Sequence, residues 1–153
     1  MSREMNPVRR IVCADAPDGK SRAIHDGPAP QVRTDPARPG FSSTFIWATD
    51  ATPAGIDRAS EIDRLAHLLS PPRGGSLCRI VTLPPDGARP VMQRTCALDF
   101  CLILEGEITL VLDTEEVNLT AGDTVVQRGT HHAWSNRSSR TCVIAISSHD
   151  ATD

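Results

Sequence analysis

From residue 76 to 147 apolar side chains fall at every second position in short runs, and glycine, proline and aspartate divide the runs. Ile108, Leu110 and Leu112 alternate with Glu107, Thr109 and Val111, and Val117 and Leu119 repeat the rhythm. That period belongs to strands, whose successive side chains point to opposite faces, and not to helices. Runs at 77–83, 97–104, 107–112, 124–127 and 142–147 are interrupted by Pro84-Pro85-Asp86-Gly87, Glu105-Gly106-Glu107 and Ala121-Gly122-Asp123. Short strands at near-regular spacing predict an all-β sandwich or closed barrel over residues 76–153.

Residues 1–75 are predicted to be an irregular N-terminal arm. Turn formers crowd it: Pro17-Asp18-Gly19, Asp26-Gly27-Pro28, Pro30, Pro36 and Pro39-Gly40. Around the first of these, residues 8–13 and 21–25 are predicted to pair as a hairpin, and residues 41–49 to form a strand. One short helix is expected over 60–69, where Ile62, Leu65 and Leu69 recur at helical spacing ahead of Pro71-Pro72. A chain of 153 residues with no evident linker is expected to make a single domain, with the arm packed on the barrel or on a dimer partner.

Charge and composition remove several function classes. A formal net charge of -3 leaves no basic footprint, so neither nucleic acid nor an anionic membrane is an expected partner. The opening MSREMNPVRR lacks a signal-like apolar stretch and no run is long enough to span a bilayer, so a cytoplasmic location is expected. Cys13, Cys78, Cys96, Cys101 and Cys142 are odd in number and contain no CxxC pair, which favours reduced, buried thiols over a disulfide framework. Aromatic residues are 3% of the chain and tyrosine is absent, too few for a base-stacking or sugar-stacking platform.

The chemistry concentrates between residues 93 and 136. If 93–103 is one unbroken strand, Gln93, Thr95, Ala97, Asp99, Cys101 and Ile103 share a face. The opposite face then carries Leu98, Phe100, Leu102 and Leu104 and is expected to pack in the core or against a partner. The odd face, with an amide, a hydroxyl, a carboxylate and a thiol, suits an interior that holds a ligand. Asp99 is the sharpest signal, because a carboxylate in a buried strand is costly unless paired, hydrogen-bonded or bound to metal. Burial of that kind also prepares a carboxyl group for acid–base work. In the 128–136 segment His132 shares a face with Trp134 and Asn136, while His131 turns away and reads as a surface histidine. Trp134 reads as core or as the apolar wall of a pocket. Cys101 stays open between ligand, nucleophile and neutral buried thiol.

These residues resemble the two motifs of the cupin superfamily. The second motif, a Gly, a proline-type turn, a His and an Asn, is matched by Gly122-Asp123, Arg128-Gly129-Thr130, His132 and Asn136, with Arg128-Gly129 replacing the proline turn. Leu104-Glu105-Gly106-Glu107 matches the bridge that follows the first motif. The resemblance covers roughly residues 76–147 and implies the double-stranded β-helix, or jelly-roll barrel, of that superfamily. Registered on Glu105-Gly106, the first motif's two His positions hold Gln93 and Thr95, its Glu position holds Asp99, and the remaining His is His132. The arm, the Phe-containing strand and the Gly74-Gly75-Ser76 lead-in resemble small single-domain cupins of polyketide and aromatic secondary-metabolite pathways. Such relatives usually keep a His where this chain has Gln93.

The resemblance implies an enzyme of lyase or isomerase type that dehydrates, decarboxylates or cyclises a polyketide-like small molecule. His132 and Asp99 would be its catalytic acid–base pair, and Gln93, Thr95, Cys101 and Trp134 would contact substrate. With an amide in place of an imidazole, the expected enzyme uses no cofactor. One alternative is a metal-dependent lyase or oxygenase holding a divalent metal loosely on His132, Asp99 and Gln93. The other is a non-catalytic small-molecule binding protein. Cupins commonly pair through their N-terminal strands, so a homodimer using residues 41–49 is implied.

Overall fold

The computed structural model describes residues 7–56, 62–86 and 90–152. The predicted hairpin is present, with β1 (Arg9–Asp15) antiparallel to β2 (Ser21–Pro28). Then follow β3 (Val32–Thr34), β4 (Ser42–Thr49), β5 (Ser76–Leu83), β6 (Ala97–Glu105), β7 (Glu107–Val111), β8 (Glu116–Thr120), β9 (Thr124–Arg128), β10 (Ala133–Ser135) and β11 (Cys142–Asp150). A large antiparallel sheet runs β3-β4-β5-β11-β6-β9, and a smaller one runs β10-β7-β8. The architecture is all-β, as the strand spacing predicts. Two strands from the N-terminal segment belong to the large sheet, since β4 pairs with β5 from Ser42↔Thr82 to Thr49↔Ser76. β3, three residues of Val-Arg-Thr, is too short to show a period and was not predicted.

The main core lies between the two sheets. Val81 and Leu83 of β5, Cys101 and Ile103 of β6, Ile108 and Leu110 of β7, Leu119 of β8, and Cys142, Ile144 and Ile146 of β11 make one buried cluster. Each large aliphatic side chain removed from water there contributes about 1.5–3 kcal/mol. A second cluster gathers Phe45, Ala48, Ile62, Leu65 and Leu77 towards the Ser76 end of β5. The helix predicted over 60–69 falls partly on residues 57–61, outside the described residues. Its described part holds a 3-10 turn at Asp63–Leu65. Ile62 and Leu65, one such turn apart, both point into the second cluster, whereas Leu69 stays on the surface.

Two expectations about β6 need correction. The strand does not run unbroken from residue 93; it begins at Ala97. Its ladder to β9 starts at Leu98↔Arg128, and Gly129 then turns the chain away at a φ of 66°. Contact resumes only at an isolated bridge between Gln93 and His132, so residues 94–96 lie opposite the turn and outside the ladder. The even face, expected in the core or against a partner, is not in the core of this chain. Phe100, Leu102 and Leu104 are 43%, 46% and 47% exposed, and Val126 beside them on β9 is 60% exposed. The small sheet covers only the odd face, and this decides which side of β6 is buried.

Candidate functional site

The inner face of the large sheet changes from apolar to polar along its strands. Ile103 pairs with Ile144, and Cys101 with Ile146; one step further Asp99 pairs with Ser148 on one side and Gln127 on the other. Ser148, Asp99 and Gln127 are all buried, so a polar row closes this end of the core. A cavity of about 740 Å³ opens over it, and its walls include Gln93, Thr95, Asp99, His132 and Trp134. Five of the six predicted site residues therefore meet at one place.

Backbone hydrogen bonds hold His132 in position. Its N–H donates to the Gln93 carbonyl at 2.9 Å, and the Gln93 N–H donates to the His132 carbonyl at 2.8 Å. The ring is fixed separately, with Nδ1 2.7 Å from the Thr130 carbonyl oxygen. A carbonyl only accepts, so Nδ1 carries the hydrogen and Nε2 keeps its lone pair in the neutral ring. Trp134 stands edge-on to the imidazole, with ring centroids 6.1 Å apart and planes 78° apart. Thr130 also donates its hydroxyl to Gln127 Oε1, tying the segment that carries His132 to the polar row.

Four buried polar atoms around this row have no hydrogen-bond partner: Asp99 Oδ1, Thr95 Oγ1, Gln127 Nε2 and Arg79 Nε. Leaving such an atom unpaired costs about 1–3 kcal/mol, more if it is charged. Three of the four, those of Asp99, Thr95 and Arg79, belong to residues that line the cavity, which fits a wall shaped for a polar ligand more readily than for its own packing.

Arg79 escaped the sequence-based reading, although a signal was present. It interrupts the inward face of β5, whose other members are Leu77, Val81 and Leu83. Burial pushes its guanidinium pKa down; Asp99 opposes that fall and Arg33 adds to it.

Cys101 is placed differently from the other predicted residues. It shares the face of Asp99 but lies deeper, inside the apolar cluster, and does not line the cavity. Burial, with a smaller contribution from Asp99, pushes its thiol up to about 12. At neutral pH it is therefore a protonated thiol and a poor nucleophile or metal ligand. His131 sits on the surface, with Nδ1 2.6 Å from Asp113 Oδ1. Asn136 is buried and structural: its amide donates to the Leu83 and Arg140 carbonyls, and its Oδ1 accepts from Ser138.

The donors at the motif positions do not fit a three-ligand metal centre. His132 Nε2 and the Asp99 carboxylate are good donors, but Gln93 offers an amide from the exposed rim and Thr95 a hydroxyl. Both are weak replacements for imidazole towards a transition metal. Among the described residues, no group of three or more His, Cys, Asp or Glu side chains is placed to hold a metal ion. No helix among them is long and apolar enough to cross a membrane.

Residues 79–148 match the family described as Cupin domain. Phomopsin biosynthesis cluster protein C' of Diaporthe leptostromiformis is 43% identical over 100 residues, covering 61% of this chain and 52% of that protein. Oryzines biosynthesis cluster protein J of Aspergillus oryzae is 29% identical over 137 residues, covering 86% of this chain and 75% of its own length. A cupin-domain-containing oxidoreductase of Hypocrea virens is 33% identical over 99 residues, covering 61% and 50%. The chain spans about half the length of the first of these relatives. Among solved structures, a putative ethanolamine utilization protein Q of Salmonella typhimurium superposes with a TM-score of 0.51 at 11% identity. It covers 97% of this chain and 100% of that one, a likeness of fold alone.

Proposed function

Residues 79–148 being a cupin domain in a chain similar to biosynthesis-cluster proteins, we propose a small-molecule enzyme of secondary metabolism that works by acid–base chemistry at His132 and Asp99. The observation that carries this reading is the hydrogen bond from His132 Nδ1 to the Thr130 carbonyl, which leaves Nε2 as the basic nitrogen of a residue lining the cavity. Such a nitrogen can take a proton from a carbon next to a carbonyl group. The Asp99 carboxyl can pass a proton to a departing hydroxyl, giving water and a new double bond, or return one to a different carbon. The first outcome is a dehydration and the second an isomerisation. Gln93 and Thr95 orient polar groups of the substrate, and Trp134 packs on its apolar part. The N-terminal strands are proposed to join two copies of the chain, which a monomeric mass in light scattering would refute.

The test begins with the compound that accumulates when the gene is deleted in its host. Purified protein should convert it, and the His132→Ala variant should do so roughly 10²–10⁴-fold more slowly, the usual worth of a general base. Equal rates would remove His132 from the mechanism. A second reading, an oxidoreductase, is supported by the names of three relatives at 32–33% identity. Elemental analysis of protein purified without added metal separates the two. Stoichiometric metal, together with turnover that a chelator abolishes, favours the oxidoreductase.

A further inference from the structure

Arg79 is a half-buried cation without a counter-ion. It projects from β5 between Leu77 and Val81, both of which are core residues. Among the described residues nothing hydrogen-bonds or ion-pairs with its guanidinium, and its Nε is sealed from solvent. Asp99 makes itself felt electrostatically but forms no ion pair with it. The nearby arginines are engaged elsewhere. Arg38 pairs with Asp86 at 3.6 Å and lies 5.2 Å from the centre of the Phe41 ring, and Arg33 donates to the His67 carbonyl at 2.7 Å. A buried N–H donor of a charged group left without an acceptor is costly for a fold to keep.

Its position adds a second observation. Arg79 stands on the wall shared by two hollows, the cavity of about 740 Å³ that holds Asp99 and His132 and a neighbouring groove of about 630 Å³. Asp35 and Phe41 are common to both, and Arg33, Phe45, Leu68 and Leu69 line the groove. Arg33 and Arg79 repel each other there. An anion between them relieves that repulsion; a neutral ligand does not.

We propose that Arg79 is the anchor for a carboxylate of the substrate, so that the enzyme acts on an organic acid held between Arg79 and the His132–Asp99 pair. The planar fork of the two terminal nitrogens matches the two oxygens of a carboxylate. In the sheet, the row of Arg79 and Ile146 adjoins the row of Ser148 and Asp99. The anchored acid therefore extends its carbon chain across β11 towards the acid–base pair, with Phe41 and Trp134 flanking its apolar part. This inference rests on the acid–base reading and names its substrate class.

The test uses the full chain and two probes of equal shape, benzoate and benzamide, titrated against tryptophan fluorescence, because Trp134 lines the cavity. Benzoate is expected to bind saturably and benzamide roughly ten- to hundredfold more weakly, as expected for loss of a charge-assisted bond. Arg79→Met should lower benzoate affinity to the level of benzamide, and Arg79→Lys should keep part of it. Where Arg79→Met fails to fold, Arg79→Lys against the wild type gives the comparison, with a several-fold loss expected. Absence of benzoate binding, equal binding of the two probes, or wild-type benzoate affinity in the variant that folds would each overturn the proposal. His132→Ala provides the independent arm. Benzoate binding retained while turnover is lost supports both readings, and turnover retained beside an Arg79-dependent benzoate site sinks only the acid–base assignment.

Discussion

Alkaline pH should destabilise this protein through its buried thiols. Cys101 and Cys142 are 2% and 0% exposed, and burial pushes their pKa values from 9.0 up to about 12 and about 11. Asp99 contributes further at Cys101, and Cys78 is shifted in the same direction. A raised thiol pKa means that the folded state keeps a proton which the unfolded chain releases. The corresponding stability is whole below pH 9.0 and is lost as the pH climbs towards 11 and 12. At about pH 10.5 each unfolded thiol is about 1.5 units past its midpoint. At about 1.4 kcal/mol per unit this gives roughly 2 kcal/mol per cysteine and about 4 for the pair. Set against a total stability of about 5–15 kcal/mol, that loss lowers the melting temperature by roughly 8–16 °C. The chain has no tyrosine, so no phenol ionises in the same range. Circular dichroism melts under reducing conditions, from about pH 8 to about pH 10.5, measure the slope. The Cys101→Ala/Cys142→Ala double variant should start lower and fall less steeply. Parallel slopes for wild type and variant would refute the assignment of these two thiols.

Two further outcomes are expected. Gly106→Ala places a side chain at a φ of 79° with its Cβ 2.6 Å from the Thr141 carbonyl oxygen, and should cost roughly 2–4 kcal/mol in urea unfolding; an unchanged midpoint would show that the turn yields freely. Asp99→Asn keeps the shape of a buried side chain but removes its proton carrier, so turnover should fall roughly 10²–10⁴-fold with the thermal midpoint nearly unchanged; wild-type turnover would exclude Asp99 from catalysis.

The strands were legible because a period of two survives in a single sequence, and each break in it coincides with a turn. Gln93, Thr95, Asp99, His132 and Trp134 were legible as one site because the motif spacing ties two distant segments together. Depth was not. Cys101 and Asp99 share a face, and nothing in the alternation says that one sits under the small sheet while the other meets the cavity. The buried side of β6 was equally hidden, since Leu98, Phe100, Leu102 and Leu104 are more apolar than the residues that actually face inward. What covers a strand decides its burial, and that is set by β7, β8 and β10, not by β6. The interruption at 94–96 likewise arises from a glycine in a different segment. Arg79 lay outside both motifs, and only its inconsistency with Leu77, Val81 and Leu83 marked it.

The bridge between Gln93 and His132 is made wholly of main-chain atoms. It holds the histidine whatever side chain residue 93 carries. Position 93 is thus a free variable in the history of such a chain, where one codon change alters the donor offered at the rim without disturbing the imidazole behind it. A Gln93→His change is therefore expected to add an imidazole at the rim while leaving His132 where it stands.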